Sequence, residues 1–127
     1  MRLQLKEGIK GQQEIMVEVK DTAANVGSGT VEVFATPSMI ALMENTAQAS
    51  IAECLAKGEA TVGIEINIKH IKATPVGVKV KCFSELTEVK GKKLLFKVEA
   101  FDEKGKIGEG KHIRYIIDTE KFMENVK

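Results

Sequence analysis

The stretch VFATPSMIALMENTAQASIAECLAKG, residues 33–58, decides the fold because it carries the one long helical pattern of the chain. Apolar residues recur in it at intervals of three and four, which is the spacing of one face of an α-helix. We predict a helix from Thr36 to about Lys57, ended by Gly58. Its apolar stripe contains Met39, Ile40, Met43, Ala47, Ile51 and Leu55.

The start of this helix carries both a structural and a chemical signal. Thr36 offers a hydroxyl N-cap and Pro37 a first helical residue, while Ser38 is the rival cap. A helix N-terminus also presents free N–H groups and the positive end of the helix dipole, which suit an oxyanion. Thr36 is therefore a cap in one interpretation and part of an anion-stabilising site in the other.

Glu44 interrupts the apolar stripe, lying within about 40° of three of its members at roughly 100° per residue. A buried, unpaired carboxylate costs several kcal/mol, so we expect either a partner or an edge position from which the side chain reaches water. One regular helix would separate Thr36 from Glu44 by about 12 Å. The two cannot touch, so a substrate or His70 must lie between them if they act together.

After Gly58 the apolar period changes from 3.6 to 2, which predicts β-strands. Continuing the alternation places His70 on the apolar face, and we expect it to partner Glu44 as an acid–base pair. A lone histidine at a strand end is more often structural, and that alternative stays open. The predicted apolar face contains Val62, Ile64, Ile66 and Ile68, with Gly63, Glu65, Asn67 and Lys69 opposite.

The remaining alternation predicts one strand before the helix and an antiparallel meander of four strands after it. A curved sheet wrapped around a helix of roughly 30 Å buries both apolar faces, so we predict an α+β fold forming one domain over residues 1–127. Its open sheet edges favour a second copy pairing edge to edge. The predicted segments are a strand at 14–20, a loop at 21–35, turns at 73–77, 89–93 and 102–106, a last strand at 107–118 and a helical turn at 119–127.

Composition argues against several classes of protein. The chain has 19 Lys and Arg against 18 Asp and Glu, with no basic block, which argues against nucleic-acid binding. No apolar run approaches the length of a membrane span, and the first ten residues lack the continuous apolar region of a secretory signal. Cys54 and Cys82, 28 residues apart, are expected to be buried free thiols, and two histidines are too sparse for a metal site. We expect a cytoplasmic protein without a metal.

Three stretches together resemble a known family. VFATPSMIALMENTA (33–47), GEATVGIEINIKHIKATPVG (58–77) and KIGEGKHIRYII (106–117) are similar to the fluoroacetyl-CoA thioesterase-like branch of the hotdog-fold thioesterases. The shared features are FAT, a Glu eight residues after its Thr, a His 26 residues after the Glu, and ATPxG soon after the His. The resemblance runs from about residue 12 to the tail.

The resemblance implies a fold, a reaction and a set of residues. It implies a hotdog fold, in which an antiparallel sheet wraps one long helix and two copies dimerise through the sheet, and hydrolysis of an acyl-CoA, with CoA as part of the substrate and no cofactor. It assigns Thr36, Glu44 and His70 to the catalytic group. It also assigns substrate contacts to Gly63 and Arg114, and His112 is treated as structural or peripheral.

One departure concerns the acyl group. The fluoroacetyl-specific enzyme carries aromatic residues shortly before its FAT motif, where this chain has NVGSGT at residues 25–30. Gly27 and Thr30 provide no aromatic wall, so the sequence favours another short acyl-CoA. The nucleophile stays open between Thr36 activated by His70, the Glu44 carboxylate, and a water oriented by Glu44.

Two other functions are compatible with such a fold. A non-catalytic module would bind a small ligand or an acyl-CoA without hydrolysing it. A hotdog hydratase is suggested by the spacing of Glu65 and His70, but residues an odd number apart on a strand face opposite ways. Lysines on the sheet would contact CoA phosphates or remain solvated: Lys69, Lys72, Lys79 and Lys81.

Overall fold

The structure is a computed structural model that describes residues 4–127, in which one sheet of five strands curves around one long helix. The strand order is β1-β3-β4-β5-β2, and every neighbouring pair is antiparallel. The strands are β1 (Lys10–Met16), β2 (Glu59–His70), β3 (Lys79–Lys90), β4 (Lys93–Asp102) and β5 (Gly105–Asp118), and the helices are α1 (Ala23–Val26), α2 (Thr36–Ser50) and α3 (Thr119–Asn125).

The predicted layers are confirmed, but the predicted four-stranded meander is wrong. Only β3, β4 and β5 are joined by hairpins, whereas β2 pairs with β5 at the far edge of the sheet. The reason lies in the 73–77 turn, which pairs with the segment before α2 instead of folding β2 back onto β3. Pro75 bridges Val33, and the Phe34 N–H donates to the Thr74 carbonyl over 2.8 Å.

Helix α2 is shorter than its sequence pattern predicts. It ends at Ser50, because Ile51 leaves the helical conformation and a 3-10 turn follows at Ala52–Cys54. In such a turn residues three apart share a face, so Ile51 and Cys54 both point into the core. The 15 residues of α2 span about 22 Å, not the roughly 30 Å expected.

The core lies between α2 and the inner face of β3, β4 and β5. The predicted alternation of β4 is confirmed, since Leu94, Phe96, Val98 and Ala100 are all buried. On α2 the buried residues are Met39, Leu42, Met43, Thr46 and Ala47. Both cysteines are buried free thiols, as expected.

Strand β2 contains a bulge that the sequence pattern does not reveal. Gly63 pairs with Arg114 and Glu65 with Ile113, so Ile64 is an extra residue opposite no partner, and it is 54% exposed. A bulge shifts the alternation by one residue. The predicted face is therefore wrong before the bulge: Gly63 faces inward, on the same side as His70.

Three other boundaries differ from the prediction. Strand β1 covers residues 10–16 instead of 14–20, and the expected loop at 21–35 contains α1. The tail forms the seven-residue helix α3, longer than one turn, because Asp118 caps it by accepting from the Lys121 N–H. Within residues 4–127, no helix is long and apolar enough to cross a membrane.

Gly110 tests the close packing of β5 against β2. A Cβ at this position would press on the Asn67 carbonyl oxygen and the Ile68 Cα, which are backbone atoms that cannot move without breaking the ladder. We expect Gly110→Ala to lower the free energy of unfolding by about 1–3 kcal/mol in urea titrations. Gly29→Ala is the control, since its Cβ would meet only Ala23 Cβ at 3.3 Å. Equal stability of the two variants would contradict this account.

Candidate active site

Thr36 and His70 meet where the start of α2 lies beside the end of β2. The Thr36 Oγ1 is 2.7 Å from the His70 Nδ1. The N-cap of α2 is Ala35, which has no side chain to accept a hydrogen bond, and Thr36 is the first helical residue. The predicted N-cap role of Thr36 is therefore wrong, because its hydroxyl bonds to the imidazole.

His70 is poised as a neutral base. Burial lowers its pKa below the ordinary value of 6.5, and the nearby Lys72 backbone opposes this shift only in part. Its Nε2 is buried and has no hydrogen-bond partner within the described part of the chain. When Nε2 carries the ring proton, Nδ1 accepts the Thr36 hydroxyl proton, which is the arrangement that activates a hydroxyl.

Thr36 and His70 open into a cleft of about 330 Å³. A larger groove of about 830 Å³ crosses the outer face of the sheet, but neither Thr36 nor His70 lines it. The smaller cleft is the candidate active site, because it contains the Thr36 hydroxyl, paired with His70, at a helix N-terminus. The other lining residues are Ala23, Ser28, Val33, Phe34, Ala35, Ile71, Lys72 and Ala73.

A buried carboxylate fixes the wall of this cleft. The Asp102 side chain, only 2% exposed, forms an ion pair with the Lys72 Nζ at 2.6 Å and accepts from the Thr74 hydroxyl at 3.0 Å. Burial opposes ionisation, yet hydrogen bonds from Lys72, Lys104 and Thr74 hold the pKa of Asp102 below its ordinary value. The segment after His70 is thereby tied to the hairpin between β4 and β5.

Glu44 lies in a second cluster, further along α2. Its Oε2 is 3.9 Å from both the His112 Nε2 and the Arg114 Nη1, and its side chain is 40% exposed. A Cβ on Gly63 would lie 2.7 Å from the same oxygen, so the absence of a side chain at 63 makes room for the carboxylate. Glu44 is thus a half-exposed carboxylate at the edge of the apolar stripe of α2.

His112 and Arg114 are fixed beside Glu44 by hydrogen bonds. The Arg114 guanidinium donates to the Thr61 hydroxyl at 2.8 Å and the Thr61 carbonyl at 2.9 Å, and it contacts the His112 Nε2 at 3.0 Å. Both residues are buried. The spacing of two residues places His112 on the same strand face as Arg114, and the structure shows the two side chains in contact; the interpretation of His112 as structural or peripheral stays a prediction.

The expected pairing of Glu44 with His70 is not formed within one chain. Among residues 4–127, Glu44 forms an ion pair with Arg114 and lies 3.9 Å from the His112 Nε2, and it forms no ion pair with His70. Helix α2 runs opposite to β2, so Thr36 lies at the His70 end and Glu44 at the Gly63 end. Eight residues of helix separate Thr36 and Glu44 by about 12 Å.

Comparison with known proteins decides the family. The model of the fluoroacetyl-CoA-specific thioesterase family, FlK, matches residues 17–120. The fluoroacetyl-CoA thioesterase of Streptantibioticus cattleyicolor is 41% identical over 96 residues, which are 76% of this chain and 69% of that protein. The chain belongs to the fluoroacetyl-CoA-specific thioesterase family.

Solved structures confirm the hotdog fold of this thioesterase family member. A structure of a fluoroacetyl-CoA thioesterase matches with a TM-score of 0.92 and 33% identity, covering 96% of this chain and 95% of that one. A thioesterase superfamily member from Thermus thermophilus matches with a TM-score of 0.88 and 26% identity, over 95% and 90% of the two chains. A fluoroacetyl-CoA-specific thioesterase has also been solved with fluoroacetate and CoA.

The two histidines of this thioesterase predict a pH dependence of stability. Burial is the main cause lowering the pKa of both His70 and His112 below 6.5. Between the folded pKa values and 6.5 the unfolded chain binds more protons, so the free energy of unfolding falls as pH drops below about 6.5. Urea titrations at a series of pH values measure this, and His70→Gln should flatten part of the slope. A slope that His70→Gln leaves unchanged would contradict the contribution of His70.

Proposed function

We propose that this protein hydrolyses the thioester of a short acyl-CoA, with Thr36, Glu44 and His70 as its catalytic residues. One observation carries the proposal: the Thr36 hydroxyl lies 2.7 Å from the His70 Nδ1, at the start of α2 and at the mouth of a small cleft. A helix N-terminus supplies positive potential where the negative charge of a tetrahedral intermediate develops.

In the first step of the proposed reaction, Thr36 attacks the acyl carbon. The Thr36 Oγ1 forms a bond to the carbonyl carbon as its proton passes to the His70 Nδ1. The C–S bond then breaks, and the proton on His70 goes to the CoA sulfur. Water next hydrolyses the acyl-threonine ester, releasing the acid and restoring the hydroxyl. A burst of CoA release followed by slower turnover supports a covalent route over direct attack by water, and an acyl group trapped on Thr36 supports this route over attack by Glu44.

The negative charge of the intermediate needs donors that are already in place. Thr36 and Ser38 in the first turn of α2 can supply backbone N–H groups, because Ala35 has no side chain that could cap them, whereas Pro37 has no N–H. Gly63 adds an inward-facing backbone without a Cβ, and we propose it as a second contact for the substrate. Arg114 is hydrogen-bonded to Thr61 and His112, so we propose that it contacts the substrate only on the side that faces Glu44.

We propose that the complete site needs a homodimer. Strand β2 lies at the edge of the sheet, so its outer ladder is free to pair with β2 of a second copy. An antiparallel pairing reverses one strand against the other, which brings the Glu44 end of one chain towards the His70 end of its partner. Glu44 would then orient the water that hydrolyses the ester held by the other chain.

Two inactive variants test the shared site. Glu44→Gln and Thr36→Ala should each fold but lose turnover, followed as thiol released from acetyl-CoA. When the two are unfolded and refolded together, heterodimers contain one intact site, and we expect about a quarter of wild-type activity. Mixing without refolding is the control. No recovery, with heterodimers present, contradicts the shared site, whereas full activity of Glu44→Gln contradicts the catalytic proposal.

The identity of the acyl group is proposed from residues 25–30, the segment beside the cleft. Residues 25–30 contain no aromatic side chain, and small residues such as Ala23 and Ser28 line the cleft. Such a wall gives little discrimination between acyl groups of similar size. We therefore propose a short acyl-CoA other than fluoroacetyl-CoA as the substrate, bound in a cytoplasmic enzyme whose buried thiols are reduced.

Thr30 tests this specificity. We expect wild-type kcat/KM values for acetyl-, propionyl-, butyryl- and fluoroacetyl-CoA to lie within about tenfold of one another. Thr30→Phe adds an aromatic wall between the lining residues Ser28 and Val33 and should depress butyryl-CoA turnover about tenfold relative to acetyl-CoA. Thr30→Val is the control of similar size. A wild-type preference for fluoroacetyl-CoA of a hundredfold or more would overturn the proposal.

A further inference from the structure

We propose that His112 is a positioning residue of this thioesterase, whose neutral ring fixes the β2 bulge and the Arg114 guanidinium and, through them, the Glu44 carboxylate. The inference rests on the proposed catalytic role of Glu44. It assigns a function to a buried group that the reaction itself does not use.

The two ring nitrogens of His112 have different partners. The Nδ1 lies 2.8 Å from the Glu65 carbonyl oxygen, which can only accept, so Nδ1 carries the proton. The Nε2 lies 3.0 Å from the Arg114 Nη1, which can only donate, so Nε2 accepts. Only the neutral Nδ1–H tautomer satisfies both contacts. Burial, reinforced by the Arg114 charge, lowers the pKa of His112 and favours this neutral form.

The first contact fixes the bulge. Glu65 follows Ile64, the extra residue at which the ladder between β2 and β5 is interrupted. The His112 N–H therefore binds the carbonyl of the residue at which regular pairing resumes. This hydrogen bond stabilises the bulge, which shifts the alternation of β2 by one residue and turns Gly63 towards α2. Because Gly63 has no Cβ, the Glu44 carboxylate has room at this position.

The second contact fixes the guanidinium. Arg114 is held by Thr61 through Nε and Nη2 and by His112 through Nη1, which leaves Nη1 also 3.9 Å from the Glu44 Oε2. Without His112, the guanidinium loses its contact at Nη1, and a tilt of the whole planar group about its bonds to Thr61 would shorten the 3.9 Å ion pair between Nη1 and Glu44. The carboxylate would then be held against Arg114 and no longer stand free for a water.

A purely structural role for His112 would have a simpler basis. Its ring stacks on Phe96, with centroids 6.4 Å apart and planes at 29°, and the residue is 1% exposed. If packing were its whole contribution, His112→Phe would preserve activity. If the hydrogen bonds matter, the side chain must supply an acceptor where Nε2 stands.

Variants of His112 separate these roles. Glutamine places an amide oxygen near the Nε2 position, asparagine places its amide near Nδ1, and phenylalanine provides neither group. We expect His112→Gln and His112→Asn, which each keep one of the two contacts, to lower kcat about 5- to 10-fold, and His112→Phe, which keeps neither, to lower kcat about 10- to 100-fold, with KM within about threefold in all three. Lys111→Gln, on the exposed face of β5, is the matched control, and urea titrations report the stability of each variant.

A double variant tests the path through Arg114. If His112 acts on Glu44 partly through the guanidinium, His112→Phe should reduce kcat by a smaller factor once Arg114→Gln is present. Losses that multiply would show that the two residues act independently and would overturn the proposal. Wild-type kcat in a folded His112→Phe protein would overturn it as well.

A spectroscopic test of the His112 tautomer does not depend on turnover. Ring ¹⁵N chemical shifts of the wild-type protein at pH 7 should report His112 as the neutral Nδ1–H tautomer. An Nε2–H tautomer or a protonated ring would overturn the proposal even in an active enzyme. If the wild type hydrolyses none of the short acyl-CoAs, the proposed function fails, while the tautomer still decides whether His112 holds Arg114 as described.

Discussion

The pairing of β2 with β5, interrupted at Ile64, sets which side chains of both strands face α2. On β5 the inward positions include His112 and Arg114, and on β2 they include Gly63 before the bulge and His70 after it. A regular ladder could not place Gly63 and His70 on one face, because they are an odd number of residues apart. The bulge therefore brings both proposed sites of substrate contact under the same helix.

Buried polar groups cost stability unless each finds a partner, and this protein provides the partners locally. The Arg114 charge is taken up by Thr61, His112 and the half-exposed Glu44. The Asp102 carboxylate is met by Lys72 and Thr74. Both groups lie next to the proposed catalytic residues, so the polar part of the core lies where the chemistry is placed and the apolar part lies under β3 and β4.

Helix α2 links the two halves of the proposed site. It is rigid over the two turns between Thr36 and Glu44, which fixes the separation at about 12 Å. Within one chain neither end completes the group that the family resemblance assigns. The free edge of β2 offers the geometrical solution, since an antiparallel second copy exchanges the two ends. Catalysis and assembly would then depend on the same strand.

Most of the fold was predictable because its signals are local. The Met39, Met43 and Ala47 part of the helical stripe, the alternation of Leu94 to Ala100 and the hairpins around Gly91 and Gly105 each depend on a few neighbouring residues, and the structure confirms them. The partner of β2 was not predictable, because strand order depends on contacts between residues far apart in sequence. The bulge was not predictable for a similar reason. Ile64 fits the apolar alternation of the sequence as well as its neighbours do, and only the pairing with β5 shows that it has no partner in the ladder.

The candidate site likewise has a part that was predictable from local sequence and a part that depends on long-range contacts. The sequence by itself determined which residues are the candidates for catalysis, since Thr36, Glu44 and His70 are unusual polar choices in their patterns and match a family motif. The tertiary structure decided which side chains are in contact. His70 is hydrogen-bonded to the Thr36 hydroxyl, and Glu44 lies beside His112 and Arg114. The physical reason is that side-chain pairing follows from strand register and helix direction, and both are set by long-range packing.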